Sequence, residues 1–521
     1  MIGTLLTITL FILAYSLYLF TRRKFTYWKK KNIPHVPPTT IFGNYSKVLL
    51  LQQTFGDNTR KLCETFPEAP LIGAYYGTEP SLIVQDPELI KLVTTRDFYY
   101  FSGREISNHA EDEPLLRNLF SSYGDKWKAL RQFLSPIFSS SKMKSMFPLI
   151  VKCSLQFEDM LEREFETSSV LDMKSIMSRF TMDCISSCSF GIETLTMVKT
   201  ENNIFRTLGD LMSAPSAVLA MKNLIRTIWP SIFYGLGFKV FPTKLEDFFK
   251  KLLIDVFESR NYEPTSRSDF IDFLLKLKKN NLVGDGFKNS ESSAGSKFNL
   301  EVDDEFLIAQ CALFFGAGYE SSSITLSWTL FELAKNPEKQ AKAIQEVDAY
   351  LHRHDNKLEY ECVAETSYLQ ACVDEAMRLY PVAGVLHREV TEDYVFPSGL
   401  KIEKGLRVHL PLYKLHYNPE YFPEPKKYRP ERFYGDEKRN IKSFTYMPFG
   451  EGPRICIGMR FARMQMTAGL ITLLKKYRVE LAPGMKRDVE FEPKTQFTQP
   501  TQSIRLKFVE REGWQTRVFT K

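Results

Sequence analysis

No Cys-x-x-Cys pair occurs in this chain of 521 residues. Its eight cysteines, at 63, 153, 184, 188, 311, 362, 372 and 456, stand singly. A long chain without a disulfide-like framework points to a reducing compartment. Cys184 and Cys188 share a helix face at i,i+4, but no histidine joins them, so they read as core packing and not as zinc ligands. The seven histidines make no metal-ligand pattern. His352 and His354, flanking Arg353, read as solvated residues of a polar turn. Charge of one sign is not in large excess: the net charge is +7, modest for this length, and no nucleic-acid partner is expected. No composition break divides the chain, so one large domain is expected despite a length above the usual single-domain size.

Charge is also missing from residues 1–20, which are rich in Leu, Ile and Phe. About 20 residues at a rise of 1.5 Å span the roughly 30 Å hydrocarbon layer. Arg22, Arg23 and Lys24 follow the run, then Lys29, Lys30 and Lys31, and no basic residue precedes it. A cleaved signal carries its basic residues first. Residues 1–21 are therefore expected to form a single uncleaved transmembrane anchor, with everything after them cytosolic. Residues 22–44, basic and then proline-rich around Ile33-Pro-His-Val-Pro-Pro38, read as a stiff hinge.

What is abundant is apolar and aromatic side chain, 44% and 13% of the chain, ample for a core. Residues 71–84 are short-period, aromatic and β-branched, and read as a hairpin. Helical periodicity then dominates to about Pro381, with a long pattern over 303–335 closed by Asn336-Pro337. A polar stretch over 285–297 reads as an exposed connection. Strand-like pieces return at 385–395, 400–410 and 503–509. The fold class is mainly α with a smaller β portion. Residues 225–242 are apolar and aromatic but broken by Pro230, Gly235 and Gly237, which forbids one clean helix. Core packing and contact with a membrane interface both stay open there.

The most specific stretch is Phe449-Gly-Glu-Gly-Pro-Arg-Ile-Cys-Ile-Gly458, ahead of an apolar helical run from Met459 to about Tyr477. The layout presents one cysteine thiolate from a glycine-rich loop. A thiolate, not a thiol, ligates metal. The nearby helix N-terminus and Arg454 favour ionisation of Cys456. Gly452 and Gly458 permit backbone conformations closed to other residues and a close approach to a flat macrocycle. Phe449 can shield the sulfur from water. A thiolate axial ligand favours O–O cleavage at a haem iron.

With this loop the chain resembles the cytochrome P-450 family of haem-thiolate monooxygenases. Glu375-Ala-Met-Arg378 resembles the family's Glu-x-x-Arg helix. Pro430-Glu-Arg-Phe433 resembles its Pro-Glu-Arg-Phe segment, and Trp127-Lys-Ala-Leu-Arg131 its Trp-x-x-x-Arg helix. Ala317-Gly-Tyr-Glu-Ser321 resembles its oxygen-binding helix. The likeness covers essentially the whole chain and is closest in pattern to insect microsomal members of family six, the detoxification enzymes.

The resemblance implies the family's mostly helical fold, with 45–521 as the haem-thiolate catalytic domain. It implies haem b with Cys456 as the axial metal ligand, and electrons from NADPH through a flavoprotein, NADPH–cytochrome P-450 reductase, with cytochrome b5 as a further partner. Trp127, Arg131, Arg388 and Arg454 are the implied propionate-side residues, with Phe449 and Gly458 in the Cys loop. Ala317 and Gly318 would lie over the haem, and Glu320 with Ser321 would relay protons. The family usually carries Thr where this chain has Ser321. A freer χ1 is then expected to hold water less firmly and to leak some peroxide. Glu375, Arg378 and Arg432 would form a buried structural network. Lys126, Lys128, Arg460 and Arg463 would form a basic docking face for the reductase. The implied lining, parts of 101–123, 208–218, 314–321, 382–386 and 495–501, mixes apolar and hydroxyl groups, which fits lipophilic neutral substrates. An endoplasmic-reticulum membrane protein with a cytosolic catalytic domain is expected.

Overall fold

The computed structural model describes residues 2–104, 107–198, 203–213, 216–265, 269–285, 297–300 and 302–520. Its axis is the helix Asp304–Lys335, buried along most of its length from Phe306 to Ala334. The start is fixed by Asp303, whose side chain accepts the Phe306 N–H at 2.7 Å, with Asp304 and Glu305 in the first turn facing the positive end of the helix dipole. It stops at Asn336, and Pro337 opens the next helix. Three of its buried hydroxyls are satisfied within the helix: Thr325, Ser327 and Thr329 each donate to the carbonyl four residues earlier.

Around this axis pack the helices Met173–Ile185, Ser367–Leu379 and Met459–Leu474. A four-stranded sheet stands to one side, in the order Leu71–Tyr76, Glu79–Val84, Arg407–Leu410, Leu386–Glu389. The first pair is the expected hairpin; Ser81–Ile83 then runs parallel to Arg407–His409. A second sheet joins Tyr477–Leu481, Arg505–Glu510 and Val170–Asp172, all antiparallel. Val170–Asp172 falls inside the stretch expected to be helical. Three residues are too few to show alternation, and the strand exists because Arg505–Lys507 pairs with it.

The polar stretch expected as an exposed connection lies largely outside the described residues, over 286–296. Its flanks, Leu282–Asp285 and Lys297–Leu300, pair antiparallel with Leu282 opposite Leu300. The breakers at Pro230 and Gly235 act as expected: Ala217–Ile228 ends, Pro230–Gly235 follows as a short helix, and Thr243–Ser259 begins anew.

The amino-terminal helix spans Ile2–Lys24 and exposes Leu5, Ile8, Phe11 and Ile12. Among the described residues, no helix is long and apolar enough to cross a membrane. The expected hinge is docked rather than free. Trp28 is fully buried, its Nε1 donates to Ala74 O at 2.8 Å, and a Cβ on Gly73 would lie 2.4 Å from its ring. Lys31 pairs with Glu403 at 2.7 Å.

Cys184 and Cys188 are buried, as expected of packing residues. His354 is not a free turn residue: Glu359 and Glu365 flank its two ring nitrogens at 3.0 Å each.

Candidate functional site

The loop before Met459–Leu474 is shaped by two left-handed glycines, Gly450 (φ +76°) and Gly452 (φ +71°). At Gly452 a Cβ would sit 1.8 Å from Thr94 O, so no side chain fits there. Ile455 N–H donates to Gly452 O at 3.0 Å and Cys456 N–H to Phe449 O at 2.8 Å, which closes the turn and aims the sulfur. Gly458 caps the helix at φ −88° and uses no glycine-only conformation, contrary to expectation. Its distinction is space: a Cβ there would meet nothing within 4 Å. The helix ends at Leu474, earlier than expected, because Tyr477 opens a strand.

Seven of the eight cysteines are buried and Cys456 alone is exposed. Yet its sulfur lies at core depth, where burial pushes the thiol pKa up while the Gly458 N–H, Arg131 and Arg104 pull it down. Accessible surface and depth together mean that the sulfur lines an interior space. Among the described residues no three His, Cys, Asp or Glu side chains could hold a metal ion.

Two arginines, Arg131 and Arg104, act on this thiol, and Arg388 and Arg454 lie near Arg104. Arg454 is buried and tied to backbone: Nε donates to Ser102 O at 3.0 Å, Nη1 to Phe120 O at 3.2 Å, and Nη2 to Ser122 O at 2.5 Å, with the guanidinium 4.7 Å from the Trp127 ring. Trp127 is itself buried, on the helix Gly124–Leu134. Arg388 is 2% exposed; Nη1 reaches His387 O at 2.9 Å, and its buried Nε has no partner among the described residues. None of Arg131, Arg388 and Arg454 pairs with a carboxylate among the described residues. Burial, then mutual repulsion, drives Arg454 well below the usual arginine pKa. Burial brings Arg388 to about 10. Arg104 falls to about 9, by burial first and then Arg388. Arg131 is also lowered by burial, with the Cys456 thiolate acting the other way.

Arg131, Arg388 and Arg454, buried with no carboxylate partner among the described residues, call for an anion, and the two carboxylates of a haem beside a lone thiolate fit this set of donors. Arg104 was not legible in the sequence, since no motif surrounds it. It is brought in by the bridge between Gly103 and Glu389, the neighbour of Arg388.

On the central helix, Ala317 is exposed and Ser321 half-buried, while Tyr319, Glu320 and Ser322 are buried. Ala317 and Ser321, at i,i+4, thus share a face onto open interior volume. Ser321 Oγ donates to Ala317 O at 2.7 Å. Gly318 does not share that face. A Cβ there would meet Ile185 at 2.5 Å, so the missing side chain serves packing against Met173–Ile185. Glu320 turns toward two residues that sequence reading missed: Gln499 Nε2 donates to its Oε1 at 2.8 Å, and Lys174 Nζ lies at 3.6 Å.

The expected charge network is present and sealed. Arg378 grips Glu375 through Nε at 2.7 Å and Nη2 at 2.8 Å, and Arg432 Nε lies 3.4 Å from Glu375 Oε1. Burial pushes the Glu375 pKa up, and Arg378, the Arg429 N–H and Arg432 oppose it. His416, unremarked in the sequence, joins this network to the Cys loop. Its Nδ1 faces Arg378 O at 3.2 Å, and Met447 N–H donates to its Nε2 at 3.3 Å. It must be neutral to do both; burial, then Arg378, lowers its pKa from 6.5 to about 3.

Of the residues expected to form a basic docking face, Lys126 pairs with Glu111 and lies 5.5 Å from the Phe306 ring, Arg463 pairs with Asp374 at 2.8 Å, and Arg460 reaches Phe138 O at 3.5 Å.

The family model for cytochrome P450 matches residues 34–508. The chain is 34% identical over 501 residues to cytochrome P450 6B6 of Helicoverpa armigera, covering 96% of this chain and 97% of that protein. It is 33% identical over 502 residues to cytochrome P450 6k1 of Blattella germanica, covering 95% of each. It is 32% identical over 481 residues to cytochrome P450 6a8 of Drosophila melanogaster, covering 91% of this chain and 93% of that protein.

Proposed function

This chain belongs to the cytochrome P450 family, and from that premise we propose that it is a membrane-anchored monooxygenase of lipophilic small molecules, xenobiotic or endogenous. Membership makes it a monooxygenase with a haem-thiolate cofactor and electrons from a reductase. The observation that carries the reading is Cys456, accessible yet deep, with Arg131 and Arg104 acting on it and Arg388 and Arg454 near Arg104.

Cys456 would ligate the iron, with Phe449 limiting water at the sulfur. Arg131, Arg388 and Arg454, with Arg104 and Trp127, would hold the propionates. Haem b, when bound, supplies the activation of dioxygen. Ala317 leaves room at the central helix. Ser321 and Glu320 move protons inward, with Glu320 oriented by Gln499 and Lys174. NADPH acts indirectly, through NADPH–cytochrome P-450 reductase, and cytochrome b5 is a second electron donor.

The charge-free run at 1–20, its basic flank and the exposed Leu5, Ile8 and Phe11 support an anchor in the endoplasmic-reticulum membrane, with 22–44 joining it to the domain 45–521. Exposed Ile232, Leu236 and Phe238 support a second contact with the bilayer surface.

The test is NADPH consumption by the full chain with reductase, with and without lipophilic candidates. Substrate-stimulated consumption with oxygenated product is expected. A non-catalytic haem sensor shows none, and that result would overturn the proposal.

A further inference from the structure

One aromatic pair on the central helix has no part in the chemistry above. Trp328 and Tyr380 stack face to face, with ring centroids 3.9 Å apart and planes 7° off parallel. Aromatic pairs usually sit offset or edge-on, roughly 4.5–7 Å apart. Trp328 is buried, and its Nε1 donates to Thr498 O at 3.0 Å. Tyr380 Oη donates to Glu332 Oε1 at 2.6 Å, and Lys335 Nζ donates to the same oxygen at 2.7 Å. Glu332 is buried, one helical turn after Trp328. Burial, then Glu332, pushes the Tyr380 pKa well up, so the phenol stays protonated at rest.

The pair lies between the interior face of that helix and the protein surface. Trp328 follows Ser321 by seven residues, two turns or about 10 Å along the same helix face. Its acceptor, Thr498, adjoins Gln499, the partner of Glu320. On the other side Phe491 sets its edge against both rings, at 6.0 and 6.2 Å, and lies 5.7 Å from Tyr413. Tyr413 meets Tyr417 at 4.7 Å and the guanidinium of half-buried Arg60 at 5.3 Å.

Indole and phenol are among the side chains most readily oxidised by one electron, and close ring overlap lets two rings share the vacancy. A buried phenol gives up that electron readily only where a base within hydrogen-bond reach takes its proton. Glu332 is that base. The step releases one electron, moves the Oη proton to Glu332, and leaves a neutral phenoxyl beside a neutral carboxyl group. Trp328 faces only a carbonyl, which takes no proton, so its ring passes the electron on. We propose that Trp328 and Tyr380, with Glu332 as proton acceptor, donate electrons to oxidant left unspent beside Cys456 and so protect the site from self-oxidation. The oxidant is hydrogen peroxide, the leak expected of Ser321. Two electrons, drawn one at a time, and two protons reduce it to two waters. Glutathione, a thiol, refills Tyr380 by way of Tyr413: two thiols give one disulfide, and the two protons they release balance those consumed. This rests on the reading above, that Cys456 holds a haem.

The experiment mixes the substrate-free, haem-loaded full chain with hydrogen peroxide and freezes it within milliseconds for electron paramagnetic resonance. A tyrosyl signal is expected in the parent. Its loss is expected in Tyr380→Phe, which keeps the stack and removes one hydroxyl, and in Glu332→Gln, which keeps an acceptor but takes no proton. Glutathione should slow the bleaching of the haem by peroxide in the parent, and that protection should be lost in Tyr380→Phe. Replacing Tyr380 by 3-fluorotyrosine keeps the hydroxyl and adds fluorine splitting to the signal. A signal without that splitting overturns the assignment, even where Tyr380→Phe fails to fold. A signal that survives in Tyr380→Phe overturns it as well, and survival in Glu332→Gln overturns the proton acceptor. Equal protection by glutathione in parent and Tyr380→Phe overturns the protective role. If the parent shows no red-shifted thiolate band with carbon monoxide, the functional reading fails and this inference falls with it. A parent with that band and no tyrosyl signal overturns this inference alone.

Discussion

On the Cys456 side of the interior, charged groups are sealed in place. Glu375 and Arg378 are fully buried, Arg432 nearly so, and His416 ties them to the loop through Arg378 O and Met447 N. Across the molecule, residues 217–241 expose Val218, Ile232, Leu236 and Phe238, while Ile228, Trp229 and Phe241 pack on the body and Glu113 accepts from Tyr234 and Val240. In the first region each buried charge is fixed by specific partners, Glu375 by both Arg378 and Arg432. In the second, exposed apolar side chains specify no unique geometry.

The contrast is broken most severely by attacking the sealed region. Glu375→Ala strands Arg378 and Arg432 in the interior, at a cost of roughly 3–5 kcal/mol. Urea unfolding and haem retention should show a protein that loses the cofactor; a variant of parental stability would mean that the network is ornamental. Gly452→Ala comes next. It forces a Cβ to within 1.8 Å of Thr94 O at φ +71°, at roughly 2–4 kcal/mol from left-handed strain plus overpacking. By contrast, alanine at Gly237, also left-handed but with open space around it, should cost only the strain. Thermal unfolding of the pair sets the two regions side by side.

A milder break is acid. His416 stays neutral in the fold down to about pH 3, while the unfolded chain takes up the proton below its ordinary 6.5. The unfolded state thus binds more protons in that window. Stability is full above pH 6.5 and falls as pH drops toward 3, by up to about 1.4 kcal/mol per pH unit. Urea midpoints at pH 7.0 and 5.5 should differ accordingly, and His416→Gln should flatten the slope. Smallest in stability is Ser321→Ala, on the open face of the central helix. It should leave the unfolding midpoint in place and raise hydrogen peroxide per NADPH by roughly threefold or more. Unchanged coupling would remove Ser321 from proton delivery.

The same contrast explains what could be read from the amino acids. The Cys loop, the Glu375–Arg378 pair and the long helix closed by Asn336-Pro337 announce themselves, because each needs particular residue types at short fixed spacings. Arg104, His416, Lys174 and Gln499 do not. They meet their partners across long separations, as Gln499 does with Glu320 over 179 residues. Gly318 illustrates the converse: its place in a motif suggested the haem face, but its contact with Ile185 is a helix-packing matter that spacing alone does not reveal. The acid partners of Lys126 and Arg463, Glu111 and Asp374, were likewise not marked by any spacing. The strand Val170–Asp172 exists only through its pairing with Arg505–Lys507.

The central claim is that Cys456, deep, accessible and acted on by Arg131 and Arg104, holds a haem iron as a thiolate. The most direct test is the carbon monoxide difference spectrum of the reduced full-length protein, taken beside Cys456→Ser. The account predicts the red-shifted thiolate band in the parent and its complete loss in the variant. A parent without that band, or a variant that keeps it, would contradict the account.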